Sequence, residues 1–161
     1  MKYRLINRTR ISRKVINKLI QFACPRGVNN FVISVMYGEG LFFGGEATNK
    51  MLRIYIPNRN IPNYKIYPFF NCNKDLKKAG YYPGVSIKNV HESILSLLAH
   101  ELRHVWQRYV NHMDFQKGRV CKCDYEGKSW FTIYKFERDA CKYAKKILLK
   151  YRKLQSKENR E

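Results

Sequence analysis

Two histidines and a glutamate carry the strongest chemical signal in this sequence. His100, Glu101 and His104 form the pattern H-E-x-x-H within the stretch Leu97–Trp106. On a helix, residues four positions apart lie on one face, so the two imidazoles project side by side and can bind one metal ion, with Glu101 beside them. With only four histidines and eight glutamates in the chain, composition alone would produce this pattern about once in 200 such sequences.

The residues around the motif predict the helix that positions it. A helical projection places the two histidines, Glu101 and Gln107 on one side, opposite an apolar side. We therefore expect the helix to pack on a core and to present its histidines to a cleft. The apolar side consists of Leu95, Leu98, Leu102, Val105, Trp106 and Tyr109.

A second helix, predicted from Trp130 to about Lys153, supplies a third candidate ligand. Glu137 lies at the centre of its apolar line, whereas Asp139 points about 200° away, toward a basic and solvated face. A carboxylate on a buried line is costly unless a cation or strong donors meet it. Catalytic zinc takes three protein ligands plus water, so Glu137 is the natural third ligand. The alternative is a salt bridge to Arg103, Arg108 or a lysine.

Together the two helices resemble those of the zincin metallopeptidases, and within them the small gluzincin-like domains of ImmA/IrrE type. In that family the second helix reads E-x-x-A-[DN]-x-[FY]-A, and its leading glutamate is the third zinc ligand. Glu137, Ala140, Tyr143 and Ala144 match this pattern, while Cys141 replaces the usual aspartate or asparagine. The resemblance covers about residues 89–151.

The resemblance implies a zinc peptidase with His100, His104 and Glu137 as ligands. Zinc held in this way keeps a position open for water, lowers the pKa of that water and polarises the scissile carbonyl. Glu101 would accept the proton of the water and pass it to the leaving amine. A donor for the oxyanion stays unassigned among Tyr109, His112, Tyr125 and Tyr134, and Tyr109 is expected to pack in the core.

Two related groups fit less well. SprT-like DNA-associated proteases share the layout and would suit the charge, but Cys121-Lys122-Cys123 is not their usual zinc module. As a metal site of its own, this C-x-C pair is a weak signal without a second pair. A metzincin is disfavoured because Gln107 stands at the position of its glycine and Val110 at that of its third histidine.

The net charge suggests a class of partner, and the cysteines suggest a cellular compartment. The chain has 32 Lys and Arg against 12 Asp and Glu, a net charge of +20, which suggests a nucleic-acid partner or, equally, a solvated lysine surface. Five cysteines, an odd number without a preceding signal peptide, predict reduced thiols and a cytoplasmic location. No apolar run is long enough to span a membrane.

The remaining elements follow from local patterns. Ser12 predicts the start of a helix over Arg13–Ala23, and Asn89, with Glu92 three residues later, that of the H-E-x-x-H helix. The β-branched and aromatic runs and the glycines predict strands and turns. Strands are predicted at Tyr3–Ile6, Phe31–Tyr37, Leu41–Phe43, Met51–Ile56 and near Lys65–Phe70, and turns at Gly38-Glu39-Gly40 and Gly44-Gly45.

These observations predict one α+β domain over residues 1–161. It is a minimal zincin-like domain with an N-terminal helix, a small and mostly antiparallel sheet, the H-E-x-x-H helix and a C-terminal helix with a basic end. The predicted function is zinc-dependent hydrolysis of an intracellular, nucleic-acid-associated protein, whose extended peptide pairs with an edge strand at Leu41–Phe43 or Met51–Ile56. The alternative is a basic nucleic-acid-binding or protein-interaction module that keeps a structural or vestigial zinc site. The oligomeric state is left open.

Overall fold

The described part of the chain is α+β, with one four-stranded mixed sheet and three helices. A computed structural model describes residues 2–38, 44–47, 51–56, 88–111 and 135–158. In chain order the elements are β1 (Tyr3–Arg8), α1 (Arg13–Ala23), β2 (Phe31–Tyr37), β3 (Gly44–Ala47), β4 (Met51–Ile56), α2 (Val90–Tyr109) and α3 (Lys135–Glu158). The predicted bounds of α1, β2 and β4 are confirmed, although the Ser12 side chain makes no capping bond. The strand predicted near Lys65–Phe70 lies outside the described residues.

The topology of the sheet differs from the prediction. The strand order is β1-β2-β4-β3, and β1 with β2 and β2 with β4 pair in parallel, whereas β3 pairs with β4 antiparallel. The expectation of a mostly antiparallel sheet is therefore wrong. The physical reason is that α1 crosses over between β1 and β2, a connection that parallel neighbours require, and that β4 inserts between β2 and β3.

One of the two predicted edge strands is not an edge. Met51–Ile56 is an interior strand, because β4 pairs on both sides. Among the described strands, the outermost one beyond β4 is β3, which includes the two glycines predicted as a turn. The other predicted edge, Leu41–Phe43, lies outside the described residues.

The core forms between the helices and one face of the sheet. In β4 the alternate residues Leu52, Ile54 and Ile56 are buried, which is the pattern of a strand with one face on a core. Helix α2 packs against α1, α3, β3 and β4, and the whole run from Glu92 to Leu102 is buried. No helix in the described part of the chain has an apolar stretch that would reach across a membrane.

A buried ion pair joins α2 to α3 near the start of α2. The predicted cap is confirmed, since the Asn89 side chain accepts a hydrogen bond from the Glu92 N–H. The carboxylate of Glu92, 3 % exposed, accepts from Arg152 Nε at 2.8 Å and from the Lys88 N–H at 2.7 Å. Burial by itself raises the pKa of Glu92, but the hydrogen bonds and charges of Arg152 and Lys88 outweigh it and hold the pKa below its ordinary value.

Glu92→Gln is expected to destabilise the fold by about 2–3 kcal/mol at neutral pH, because the ion pair between the buried Glu92 carboxylate and Arg152 is lost. Since the folded-state pKa of Glu92 is lowered, the difference between wild type and variant is full above its ordinary value of 4.5 and is lost as the pH falls through the folded-state value. Urea unfolding from pH 7 to pH 3 measures this. Glu46→Gln is the control, because the Glu46 pair with Arg53 is exposed; an equal effect there would contradict the prediction.

Candidate metal centre

The two motif histidines lie on α2 with their Nε2 atoms directed at each other. His100 Nε2 lies 3.1 Å from His104 Nε2, and His100 is 4 % exposed. Two nitrogens at about 2.0–2.1 Å from one tetrahedral zinc ion lie roughly 3.3 Å apart. The spacing of the two imidazoles therefore fits two ligands of a single ion. His100 is buried, whereas His104 is partly exposed.

Gln107 determines which nitrogen of His104 is basic. The Gln107 amide nitrogen donates to the Phe136 carbonyl at 3.0 Å and to the Asp139 carboxylate at 2.8 Å. Both partners are acceptors, so the amide oxygen is the atom that lies 2.9 Å from His104 Nδ1 and must accept a hydrogen bond from the Nδ1–H group. In the neutral ring this leaves the Nε2 lone pair directed at His100, which is the form that binds metal.

Asp139 is the next residue in this chain of hydrogen bonds. It accepts from Arg103 Nε at 2.6 Å and from a terminal Arg103 nitrogen at 3.2 Å. Burial raises the pKa of Asp139, but hydrogen bonds from Arg103 and Gln107 outweigh it and lower the pKa below its ordinary value. Asp139 was predicted to lie on a basic, solvated side, and its side chain is 40 % exposed and pairs with Arg103. The prediction did not include its second role, which is to anchor the chain of hydrogen bonds that ends at His104.

The second nitrogen of His100 meets Cys141 on α3. Cys141 Sγ lies 3.7 Å from His100 Nδ1 and is thus on the opposite side of the ring from the nitrogen that faces His104. Cys141 stands at the position at which the gluzincin-like domains of ImmA/IrrE type have an aspartate or asparagine. With the Nε2 lone pair of His104 directed at His100 Nε2, a proton or a metal ion is needed between the two nitrogens, because two lone pairs at this distance repel.

Glu101 is held beside the edge strand. The residue is 6 % exposed, and a Cβ built on Gly45 would lie 2.5 Å from Glu101 Cγ and 2.7 Å from Oε1. Only glycine at position 45 leaves room for this side chain where it stands. The close approach of β3 and α2 therefore explains the glycine at position 45, which lies in a strand and not in the predicted turn.

The backbone places Glu137 next to the histidine helix. It lies in α3 between Phe136, whose carbonyl accepts from Gln107, and Cys141, which contacts His100. The side chain of Glu137 lies outside the described residues. Among the described residues no group of three or more His, Cys, Asp or Glu side chains that could hold a metal is present, so the ligand role of Glu137 stays a prediction.

The remaining candidate residues near the motif are the possible oxyanion donors and the C-x-C pair. Tyr109 was expected to pack in the core, but it is 42 % exposed, and this expectation is wrong. The other candidate oxyanion donors, His112, Tyr125 and Tyr134, lie outside the described residues. The same holds for the cysteines of the C-x-C pair.

Sequence reasoning missed the supporting residues of the site. Gln107 was noticed only as a polar residue beside the histidines, although a polar side chain three positions after a motif histidine can reach its ring. Asp139 and Gly45 act through elements distant in sequence, and no local pattern indicates these contacts.

Gln107→Leu is expected to weaken zinc binding by about 10-fold to 100-fold, as the loss of a hydrogen-bond partner of a metal-bound histidine typically does. The measurement is competition with a chromophoric chelator, with circular dichroism to verify folding. Gln155→Leu, on a part of α3 far from the histidines, is the matched control. Unchanged zinc affinity in a folded Gln107→Leu variant would contradict the orienting role of Gln107.

Comparison with family models, with curated proteins and with solved structures finds no match to this chain. The chemistry of the centre is therefore inferred from its own residues.

Proposed function

We propose that the protein is a zinc-dependent metallopeptidase of zincin type, similar to the small gluzincin-like domains. The observation that carries the proposal is the pair of Nε2 atoms 3.1 Å apart, with Glu101 next to His100 on the same helix. The donor set suits zinc, which binds imidazole nitrogen and carboxylate oxygen. The proposed ligands are His100, His104 and Glu137.

Each residue of the centre has a separate task in this proposal. Bound zinc would supply Lewis acidity, which activates water near neutral pH and polarises the scissile carbonyl. His104 is held by Gln107 as the tautomer that presents Nε2. Glu101 accepts a proton from the attacking water at its carboxylate and then donates it to the leaving amine. Burial of Glu101 and His100 keeps competing water away from these groups.

The edge strand is the proposed binding element for substrate. In the described sheet β3 pairs with β4 alone, and β3 passes directly beside Glu101 at Gly45. An extended peptide that adds to this edge by backbone hydrogen bonds would run past the proposed general base. Strand β3 therefore replaces Met51–Ile56 as the proposed substrate-binding edge, because Met51–Ile56 is an interior strand.

The proposed setting is the cytoplasm, and the proposed substrate is a protein associated with nucleic acid. Cys24, after the end of α1, is a free thiol, which suits a reducing compartment. The net charge of +20 favours a polyanionic neighbour.

The test is cleavage of a complex peptide mixture by the zinc-loaded wild type, read by mass spectrometry. We expect new peptide termini that disappear when zinc is chelated and return when zinc is added back. Zinc binding without any cleavage would favour the alternative, a basic binding module with a structural zinc site. Absence of both zinc binding and cleavage would exclude the metal centre.

A further inference from the structure

The outer face of α3 has an unbalanced positive charge. From Ala140 to Lys157 the helix contains seven basic residues and no acidic one. Arg152 is bound to Glu92. The other six are exposed lysines that a helical repeat places on one side, opposite the buried line of Ala140, Ala144 and Leu148. They are Lys142, Lys145, Lys146, Lys150, Lys153 and Lys157.

Five of these lysines line a groove. It has a volume of about 950 Å³ and lies between α3, the end of α1 and α2. Arg26 adds a further cation from the turn after α1, and no Asp or Glu is among the described residues that line the groove. Lysines three or four positions apart on one helix, such as Lys142, Lys146 and Lys150, repel one another and destabilise the helix. An anion that spans them would remove this repulsion.

The apolar residues of the groove are suited to bases rather than to lipid chains. Phe22, Trp106 and Tyr143 lie along the groove, and the Arg103 guanidinium stacks over the Trp106 ring at 3.9 Å. Aromatic and guanidinium planes are the groups on which unpaired bases stack. A helix that inserts into a membrane surface needs a continuous apolar face. The main apolar line of α3 is buried in the core, and its large exposed apolar residues are two separate leucines, Leu149 and Leu154.

We propose that the groove beside α3 binds a nucleic acid strand through its phosphate backbone. From Lys142 to Lys157 the helix rises about 22 Å, which is long enough for several successive phosphates. This inference deepens the proposed function and rests on it for the link to peptide hydrolysis. The substrate of the peptidase would be a protein bound to the same nucleic acid. The lysines that would bind the phosphates include no residue of the metal centre.

The test compares two variants with equal loss of charge. In the first, Lys142, Lys146, Lys150 and Lys153 are changed to Gln; in the second, the exposed Lys2, Lys14, Lys18 and Lys88 are changed to Gln. Fluorescence anisotropy with a labelled single-stranded 20-nucleotide DNA measures Kd over a range of salt concentrations. We expect the first variant to bind at least about 10-fold more weakly, with a salt slope smaller by roughly 3, and the second to stay within about threefold of wild type.

Three results would overturn the proposal. These are equal weakening in both variants, the absence of salt-dependent binding by the wild type, and a preference for phosphatidylserine vesicles over DNA that depends on the same lysines. Zinc content separates this proposal from the proposed function. DNA binding that persists in His100→Ala while zinc is lost supports the groove independently, and zinc-dependent cleavage without DNA binding would refute the groove alone.

Discussion

Glu101→Gln is expected to reduce peptide hydrolysis by about 100-fold to 10,000-fold, the usual contribution of a general base, while zinc binding stays near that of the wild type. The amide keeps the size of the side chain but cannot accept the proton of the attacking water. Glu101 does not belong to the proposed ligand set, so the histidine pair should be unaffected. Initial rates on a peptide cleaved by the wild type, together with zinc content, measure both effects.

Gly45→Ala tests the role of the Glu101 carboxylate in a second way, by displacing it. The added Cβ would lie within 2.8 Å of three Glu101 atoms, so the carboxylate must move, and we expect reduced hydrolysis with zinc retained. Glu46→Ala is the control, since this neighbouring side chain in β3 is exposed and pairs with Arg53. Full activity in Glu101→Gln would refute the general-base role, whatever the result at position 45.

Loss of zinc is the second large effect that we expect. Purified wild type should contain about one zinc per chain, and His100→Ala should lose it, because one of two facing nitrogens is removed. The expected weakening exceeds about 100-fold, since even the loss of a hydrogen-bond partner of a ligand costs about 10-fold to 100-fold. Glu137→Gln should also bind zinc more weakly if its carboxylate is the third ligand. Elemental mass spectrometry and chelator competition measure these affinities.

Two carboxylates on α3, Asp139 and Glu158, are candidate control positions for the Glu137→Gln variant. Asp139 is unsuitable, although it lies on the same helix, because it holds Gln107 and Arg103. Glu158, an exposed carboxylate at the end of α3, is the matched position for a Gln substitution. Zinc should also raise the thermal unfolding temperature of wild type, since a ligand that binds only the folded state stabilises it. A wild type that takes up no zinc, even when zinc is supplied in excess, would refute the metal centre.

Local patterns in the sequence were sufficient for much of the fold. The bounds of α1, β2 and β4 and the Asn89 cap of α2 are as predicted, because hydrophobic periodicity and capping residues act within a few positions. Strand pairing is different, since partners are chosen by packing across the chain. The insertion of β4 between β2 and β3 was therefore not visible, and the two glycines of β3 were mistaken for a turn.

The sequence by itself determined that His100, Glu101 and His104 share one helix, because a four-residue spacing brings side chains together on any α-helix. Only the tertiary structure decided how they are oriented. Gln107 is fully buried and joins His104 to Asp139, 32 residues further along the chain, and Gly45 lets the edge strand approach Glu101. These contacts arise where separate elements pack together, and so no local periodicity indicates them.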